Sequence, residues 1–413
     1  MSERRHLIGL LLGTEDDWST TFEWLVEQLP PIERGGETHT FETERITIEP
    51  FDLRAKPRHS LVIDRLGWWY HVPREWLKKV ALMDDVYLLN SPFTFQAMEK
   101  HSAYCAMMRL GLKVPETWLI PHKKPPDNPR FFTTASRYNQ PFSVEEVGAQ
   151  VGFPLFMKPF DGGQWVGVSR AADAEALRRA YDASGERLMH VQASIEDFDV
   201  FVRSLSIGAE TLSVRYEPDR PLHERYAVEH DFLTPEVGRE VVTISRVVNA
   251  FFRWEFNSCE TIVKDGEVYP IDYANASPDV SLISLGYYFP WAIRALVRWC
   301  AFCTVTGRRS RVVDMDSRRY FDVASGPYEE RLERYRALAD EDLDVVEYDR
   351  FCAEHLPDLD AITLELVASE RFDSLLADTV RATFPSGEHE AMLARYRGLV
   401  GAWVHDQRAL VET

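Results

Sequence analysis

The segment Gly152-Phe153-Pro154-Leu155-Phe156-Met157-Lys158-Pro159-Phe160-Asp161-Gly162-Gly163-Gln164-Trp165-Val166-Gly167-Val168 constrains this chain more than any other. Phe153 to Met157 reads as a short buried strand, Lys158 closes it, and Gly162, Gly163 and Gly167 follow at once. A lysine is a compact point charge, and glycines let backbone N–H groups approach an anion closely. Strand end, cation and amide nest together suit a polyphosphate. The lysine precedes the glycines and no Gly-Lys-Ser/Thr follows, so this is neither the Walker loop nor the dinucleotide fingerprint. Taken alone, a Gly-Gly pair after a strand also reads as a hairpin turn.

Two further segments join it. Upstream, Asn90-Ser91-Pro92 breaks an extended run, and Phe95 to Leu110 follows with helical periodicity, carrying Lys100 near its start and Gly111 at its end. Downstream, Cys259 to Val263 and Val268 to Asn275 flank Lys264-Asp265-Gly266-Glu267, which predicts a β-hairpin with an Asp-Gly turn. Such a hairpin brings Glu260, Asp272 and Asn275 together. Two carboxylates and an amide oxygen are hard donors of the kind magnesium takes when it bridges a few protein oxygens to substrate phosphates. An ordinary acidic surface hairpin is the competing reading. Asp272 inside an otherwise apolar strand argues against it.

In this order the segments resemble an ATP-grasp enzyme, similar in layout to the D-alanyl-D-alanine ligases and the glutamate-ligase branch, from about residue 90 to about residue 306. The resemblance implies an α/β fold of mixed lobes, with a small N-terminal α/β domain and a C-terminal helical extension. It implies that Lys100 and Lys158 hold the phosphates of ATP while Gly162, Gly163 and Gly167 close over them. His190 to Ile195 matches the adenine hinge, with Gln192, Ala193 and Ile195 on it and Asp199 as the ribose candidate; Gln192 replaces the usual glutamate. Arg203 resembles the phosphate-side arginine, and Arg253, just before the hairpin, is a second candidate for that catalytic role. Glu260, Asp272 and Asn275 are the implied Mg2+ ligands. Here the chain departs from the family, because Asp272-Tyr273-Ala274-Asn275 has one residue more between acid and amide than the family's pattern. A β-bulge would keep both oxygens on one face; without it they point to opposite faces.

The implied activity is ATP-dependent amide formation between a small carboxylate and an amine, amino-acid or peptide-like, through an acyl phosphate. A phosphotransferase on the same scaffold and a nucleotide-binding protein without turnover are the alternatives. Arg215, Arg225, Arg246 and Arg294 are open between substrate clamps and ion pairs, the latter favoured for each.

The rest of the chain bounds this reading. At 413 residues it can bury two or three cores, and 45% hydrophobic with 12% aromatic residues is far from a disordered composition. A net charge of −19 argues against a nucleic-acid partner. No run reaches membrane-spanning length, and Leu7 to Leu12 reads as a first strand, too short for a secretory core. Five scattered cysteines predict no disulfide framework and a cytoplasmic setting, with Cys300 and Cys303 as core residues of an apolar helix. The organisation read from the sequence is an α/β domain at 1–92, a central helix and linker at 93–142, a small lobe at 143–206, a large lobe with the metal site at 207–308, and a helical extension at 309–413. Residues 121–141 are read as a surface loop, and Ser143 as the cap of a short helix. Amphipathic spacing predicts tail helices at 326–340, 344–355, 360–378 and 387–409. The tail has three readings, a cover over the site, a homodimer surface or closure of the core, the last being the usual one.

Overall fold

Alternating and continuous apolar runs build three sheets in the computed structural model, which describes residues 2–411 except 49, 69, 85, 95–99, 139, 162, 164 and 310–317. The first contains β1 (Ser2–Leu11), β2 (Ile32–Arg34), β3 (Glu37–Arg45), β4 (Leu61–Asp64) and β5 (Tyr87–Leu89), in the order β2-β3-β1-β4-β5. All but β2 run parallel, so their carboxyl ends form one edge. The second contains β6 (Thr117–Ile120), β7 (Leu155–Pro159), β8 (Ser169–Ala171) and β9 (Met189–Ala193), ordered β6-β9-β7-β8. The third is antiparallel, with β10 (Val200–Ile207), β11 (Glu210–Tyr216), β12 (Tyr226–Ala227), β13 (Phe256–Lys264) and β14 (Glu267–Ala276) ordered β12-β11-β10-β13-β14.

Strand period explains which side chains meet. In β7, Leu155 and Met157 point into a small core under the helices Val144–Val151 and Ala174–Ala183, joined there by Met189 and Val191 of β9. Phe156, Lys158, His190 and Gln192 alternate with them and take the opposite face. Ser143 caps the first of these helices by accepting a hydrogen bond from the Glu146 N–H at 3.1 Å.

The large core is continuous across distant parts of the chain. The helix Phe289–Val305 is apolar on nearly every side, as a helix buried all round must be. It packs Phe289, Leu296, Trp299 and Phe302 against Trp18 and Phe22 of the helix Asp17–Glu27 and against Tyr348, Phe351, Phe372 and Tyr396 of the tail. Cys300 and Cys303 are buried within it. The helix Pro235–Phe252, capped by Thr234, covers the third sheet with Val241, Ile244 and Val248 against Cys259 and Tyr273.

The first sheet is stitched to the third at its carboxyl edge. Asn90 donates to the Phe256 carbonyl at 2.7 Å and accepts from the Phe256 N–H at 3.0 Å, so its side chain acts as one more strand residue. Ser277 donates to the Asp64 carbonyl, and Arg65 donates to the carbonyls of Ser277 and Pro278.

Several boundaries differ from the sequence reading. β6 pairs with β9, so the small-lobe sheet begins at Thr117, inside the segment assigned to the linker. β10 spans the proposed 206/207 division and pairs with β11 and β13, which puts all of it in the large-lobe sheet. The helix Pro129–Tyr138 replaces the expected loop; Pro129 at its first position starts a helix well. The tail helix read as 360–378 is two helices, Leu359–Val367 and Glu370–Thr383, because Ser369 accepts from the Phe372 N–H at 3.2 Å and starts the second. The tail closes the large core, as its commonest reading has it.

Candidate active site

The hairpin β13–β14 turns at Asp265 and Gly266, both with positive φ, the conformation a two-residue Asp-Gly turn requires. Down the hairpin, Glu260 faces Asp272 in register. From that pair to the next, Ser258 opposite Asn275, β13 advances two residues and β14 three. The extra residue of the Asp272-to-Asn275 spacing is therefore absorbed by a bulge in β14. Both side chains emerge on one face, with the Asn275 amide nitrogen 3.3 Å from Asp272 Oδ1.

Lysines reach this face from two elements. Lys100 is the first residue of the described helix Lys100–Arg109, the expected start at Phe95 lying outside the described residues, and forms an ion pair with Asp272; its backbone N–H donates to the Phe160 carbonyl at 3.3 Å, which ties that helix to the end of β7. Lys158 donates to Gln192 Oε1 at 2.8 Å, and Gln192 donates in turn to Thr117 Oγ1 at 2.7 Å. Arg203 in β10 pairs with Glu260 at 3.1 Å, donates to Ser258 Oγ at 3.2 Å and lies over the Tyr216 ring. Lys100, Lys158 and Arg203 thus gather three cations around Glu260 and Asp272 in a chain of net charge −19.

The electrostatics follow from burial and neighbours. Burial pulls the Lys158 ammonium down to about 8; Lys100 pushes the same way, against Asp272 and Glu260. Burial raises the Glu260 carboxyl despite Arg203. For Asp272 burial pushes up, but Lys100 and Lys158 outweigh it and hold the carboxyl below its ordinary range. Burial, then His101 and the two lysines, pulls His190 down to about 3, so this imidazole is neutral at physiological pH.

The donor set suits magnesium. Glu260 and Asp272 face each other in register, and the Asn275 amide, turned over, presents its oxygen beside them. Among the described residues no group of three or more His, Cys, Asp or Glu side chains converges, so a metal there would rely on substrate phosphates for its remaining ligands.

The other expected residues are placed unevenly. Gly163 and Gly167 lie on the loop after β7, Gly167 with φ +78, and the Gly163 carbonyl accepts from the Val166 N–H at 3.2 Å; Gly162 falls outside the described residues. Ala193 ends β9 and Ile195 follows it, packed on the cluster of Phe201, Tyr216 and Ile262. Asp199 accepts from the Asp265 N–H at 2.7 Å, a structural use at the turn of the hairpin. Arg253 is a correction. It caps the helix Pro235–Phe252 in the left-handed conformation and pairs with Asp342 at 3.0 Å, with at least four strand residues, roughly 13 Å, between it and Glu260. Arg215, Arg246 and Arg294 make ion pairs with Glu217 and Glu229, Asp340 and Asp360, and Arg225 donates to the Arg220 carbonyl. Sequence reasoning missed Ser258, Thr117 and the His101–His190 pair, joined at 3.1 Å. Ser258 and His190 each precede a recognised residue by two, which the strand period could have flagged.

No family model matches the sequence, and no curated protein matches it either. Among solved structures, D-alanyl-alanine synthetase A from Vibrio cholerae O1 biovar eltor superposes with a TM-score of 0.52 at 12% identity, over 74% of this chain and 98% of that one. The fold is ATP-grasp. Two further ATP-grasp matches are a RimK domain protein from Sphaerobacter thermophilus (TM-score 0.46, 12% identity, 71% and 98% covered) and D-alanine–D-alanine ligase from Bacillus anthracis complexed with ATP (0.43, 14%, 82% and 99%). At these identities the likeness concerns the ATP-grasp architecture. Among the described residues no helix is long and apolar enough to cross a membrane.

Proposed function

We propose that this protein is an ATP-dependent carboxylate-amine ligase. The observation that carries the reading is the convergence of Lys100, Lys158 and Arg203 with the opposed carboxylates Glu260 and Asp272 between two sheets of an ATP-grasp fold. The solved structure of the Bacillus anthracis relative in complex with ATP names the nucleotide for a protein of this architecture.

A carboxylate is a poor electrophile until one of its oxygens is esterified. In the proposed reaction a substrate carboxylate oxygen attacks the γ-phosphorus of ATP, the bond to the β-bridging oxygen breaks, and ADP leaves. The amine nitrogen then attacks the acyl carbon, phosphate departs with the C–O bonding pair, and the nitrogen loses a proton. Lys100 and Lys158 neutralise charge on the transferring phosphoryl group, and Arg203 holds Glu260 in place. Magnesium, held by Glu260, Asp272 and Asn275, would neutralise further charge on the phosphate oxygens. On the loop after β7, Gly163 and Gly167 leave room for the backbone to approach the phosphates and exclude water that would hydrolyse the acyl phosphate.

The test is to incubate the protein with ATP, magnesium and mixtures of amino acids or short peptides, following phosphate release and product mass. Release that requires both an acid and an amine, with a product lighter by one water than their sum, is expected. A product heavier by one phosphoryl group would identify a phosphotransferase instead. Tight ATP binding with neither product would identify a nucleotide-binding protein.

A further inference from the structure

Residues 217–234 join β11 to the helix Pro235–Phe252 with little structure of their own, a short helical turn at Leu222–Glu224 and the two residues of β12. A connection of that length inside a compact lobe is ordinarily functional. β12 sets Tyr226 opposite Tyr216 and Ala227 opposite Arg215 at the outer edge of the third sheet. The Tyr226 ring therefore stands on the cleft face, edge-on to Tyr216 at 5.2 Å and 5.9 Å from the Arg203 guanidinium that pairs with Glu260. Among the described residues the Tyr226 hydroxyl has no hydrogen-bond partner, so packing and the loop backbone alone fix the ring.

Much of what fixes that backbone comes from the far end of the chain. Before Tyr226, Arg395 donates to the His223 carbonyl at 3.2 Å and lies 3.7 Å from Glu224, and Phe384 meets the His223 ring edge-on at 5.5 Å. After it, the Tyr288 hydroxyl donates to the Ala227 carbonyl at 2.9 Å. The Tyr287 ring lies 5.8 Å from that of His230, and its hydroxyl donates to Asp406 at 2.6 Å. Arg395 and Asp406 are about three turns apart on the helix His389–Val411 and so share a face. Tyr396 and Trp403, buried in the large core, seat the same helix independently of both.

We propose that the tail shapes the active site as well as closing the core: Arg395 and Asp406 are positioning residues that hold the 217–234 connection so that Tyr226 walls the Arg203–Glu260 pair. The proposal rests on the ligase reading of that site. Both residues act at a distance, through the loop and Tyr226.

Hydrogen exchange on the full chain tests the clamp, and turnover tests its use. In Arg395→Ala/Asp406→Ala, where both side chains sit outside the core, the amides of residues 222–230 are expected to exchange about tenfold faster, the value of one charge-assisted hydrogen bond, while residues 389–411 keep their protection. Arg395→Lys, which keeps a donor for the His223 carbonyl, holds the loop as wild type does. In the amide-forming assay kcat/KM falls about tenfold in the double variant and in Tyr226→Ala, and combining all three substitutions lowers it no further than Tyr226→Ala alone. Wild-type protein that turns nothing over counts against the ligase reading, and the same cycle is then read in the affinity for ATP with magnesium. Unchanged exchange at 222–230, an Arg395→Lys loop as loose as that of the double variant, or tail and Tyr226 effects that multiply overturns the proposal.

Discussion

Lys158 is the residue on which the proposed chemistry turns, and its surroundings make that role measurable. Half-buried on the face of β7 turned away from the small-lobe core and bonded to a neutral Gln192, it has an ammonium pulled down to about 8. ATP phosphates select the charged form, so the sign is fixed: affinity is full below that pH and falls as pH rises through it. ATP binding measured from pH 7 to 10 is expected to weaken above pH 8 by about tenfold per unit, the limit for one proton. Gln192→Glu places a carboxylate on the lysine and should move the decline upward by about one unit. An unchanged midpoint would show that Lys158 does not meet the phosphate. Lys158→Ala and Asp272→Ala should each lower kcat/KM by about 10²–10³-fold, and full activity in either would remove it from the site.

At the level of elements, local chemistry was readable and long-range pairing was not. The Asp265-Gly266 turn, the lysine near the end of β7 and the cap at Ser143 are written in adjacent residues. The bulge in β14 was legible as a conditional, because one extra residue between Asp272 and Asn275 required it if both were to share a face. Membership of β6 in the small-lobe sheet depends on β9, about seventy residues away, and no local signal encodes it. Arg253 misled for the same reason: closeness in sequence to the hairpin does not give closeness in space when a helix cap turns the side chain toward Asp342. The β10–β11 hairpin carries its own prediction. Gly208 has φ +56, and a Cβ there would lie 1.9 Å from the Trp299 ring. Gly208→Ala therefore combines left-handed strain with overpacking and should cost roughly 1–3 kcal/mol, read as a drop in Tm. Stability equal to wild type would show that the hairpin does not seat on that helix.

For the whole molecule, the first sheet, the helix Phe289–Val305 and the tail share one continuous core, so none of the three completes itself alone. Deleting residues 318–411 strips Tyr348, Phe351, Phe372 and Tyr396 from Trp18, Phe22 and Trp299. Such a chain should lose cooperative thermal unfolding and aggregate; a sharp transition near the wild-type Tm would refute the shared core. The small lobe is built otherwise. Its apolar cluster around Leu155, Met157 and Val191 closes on itself. It meets the rest of the protein through polar links such as Lys264 to the Glu196 carbonyl at 2.6 Å, and through His190 beside His101 and Tyr104. One jaw of the cleft is thus welded into the body and the other is hung on hydrogen bonds. Swinging the hung jaw trades those bonds for water and uncovers only a small oily contact, at Ile195 and the Tyr104 ring, which makes gape a cheap large motion for this architecture.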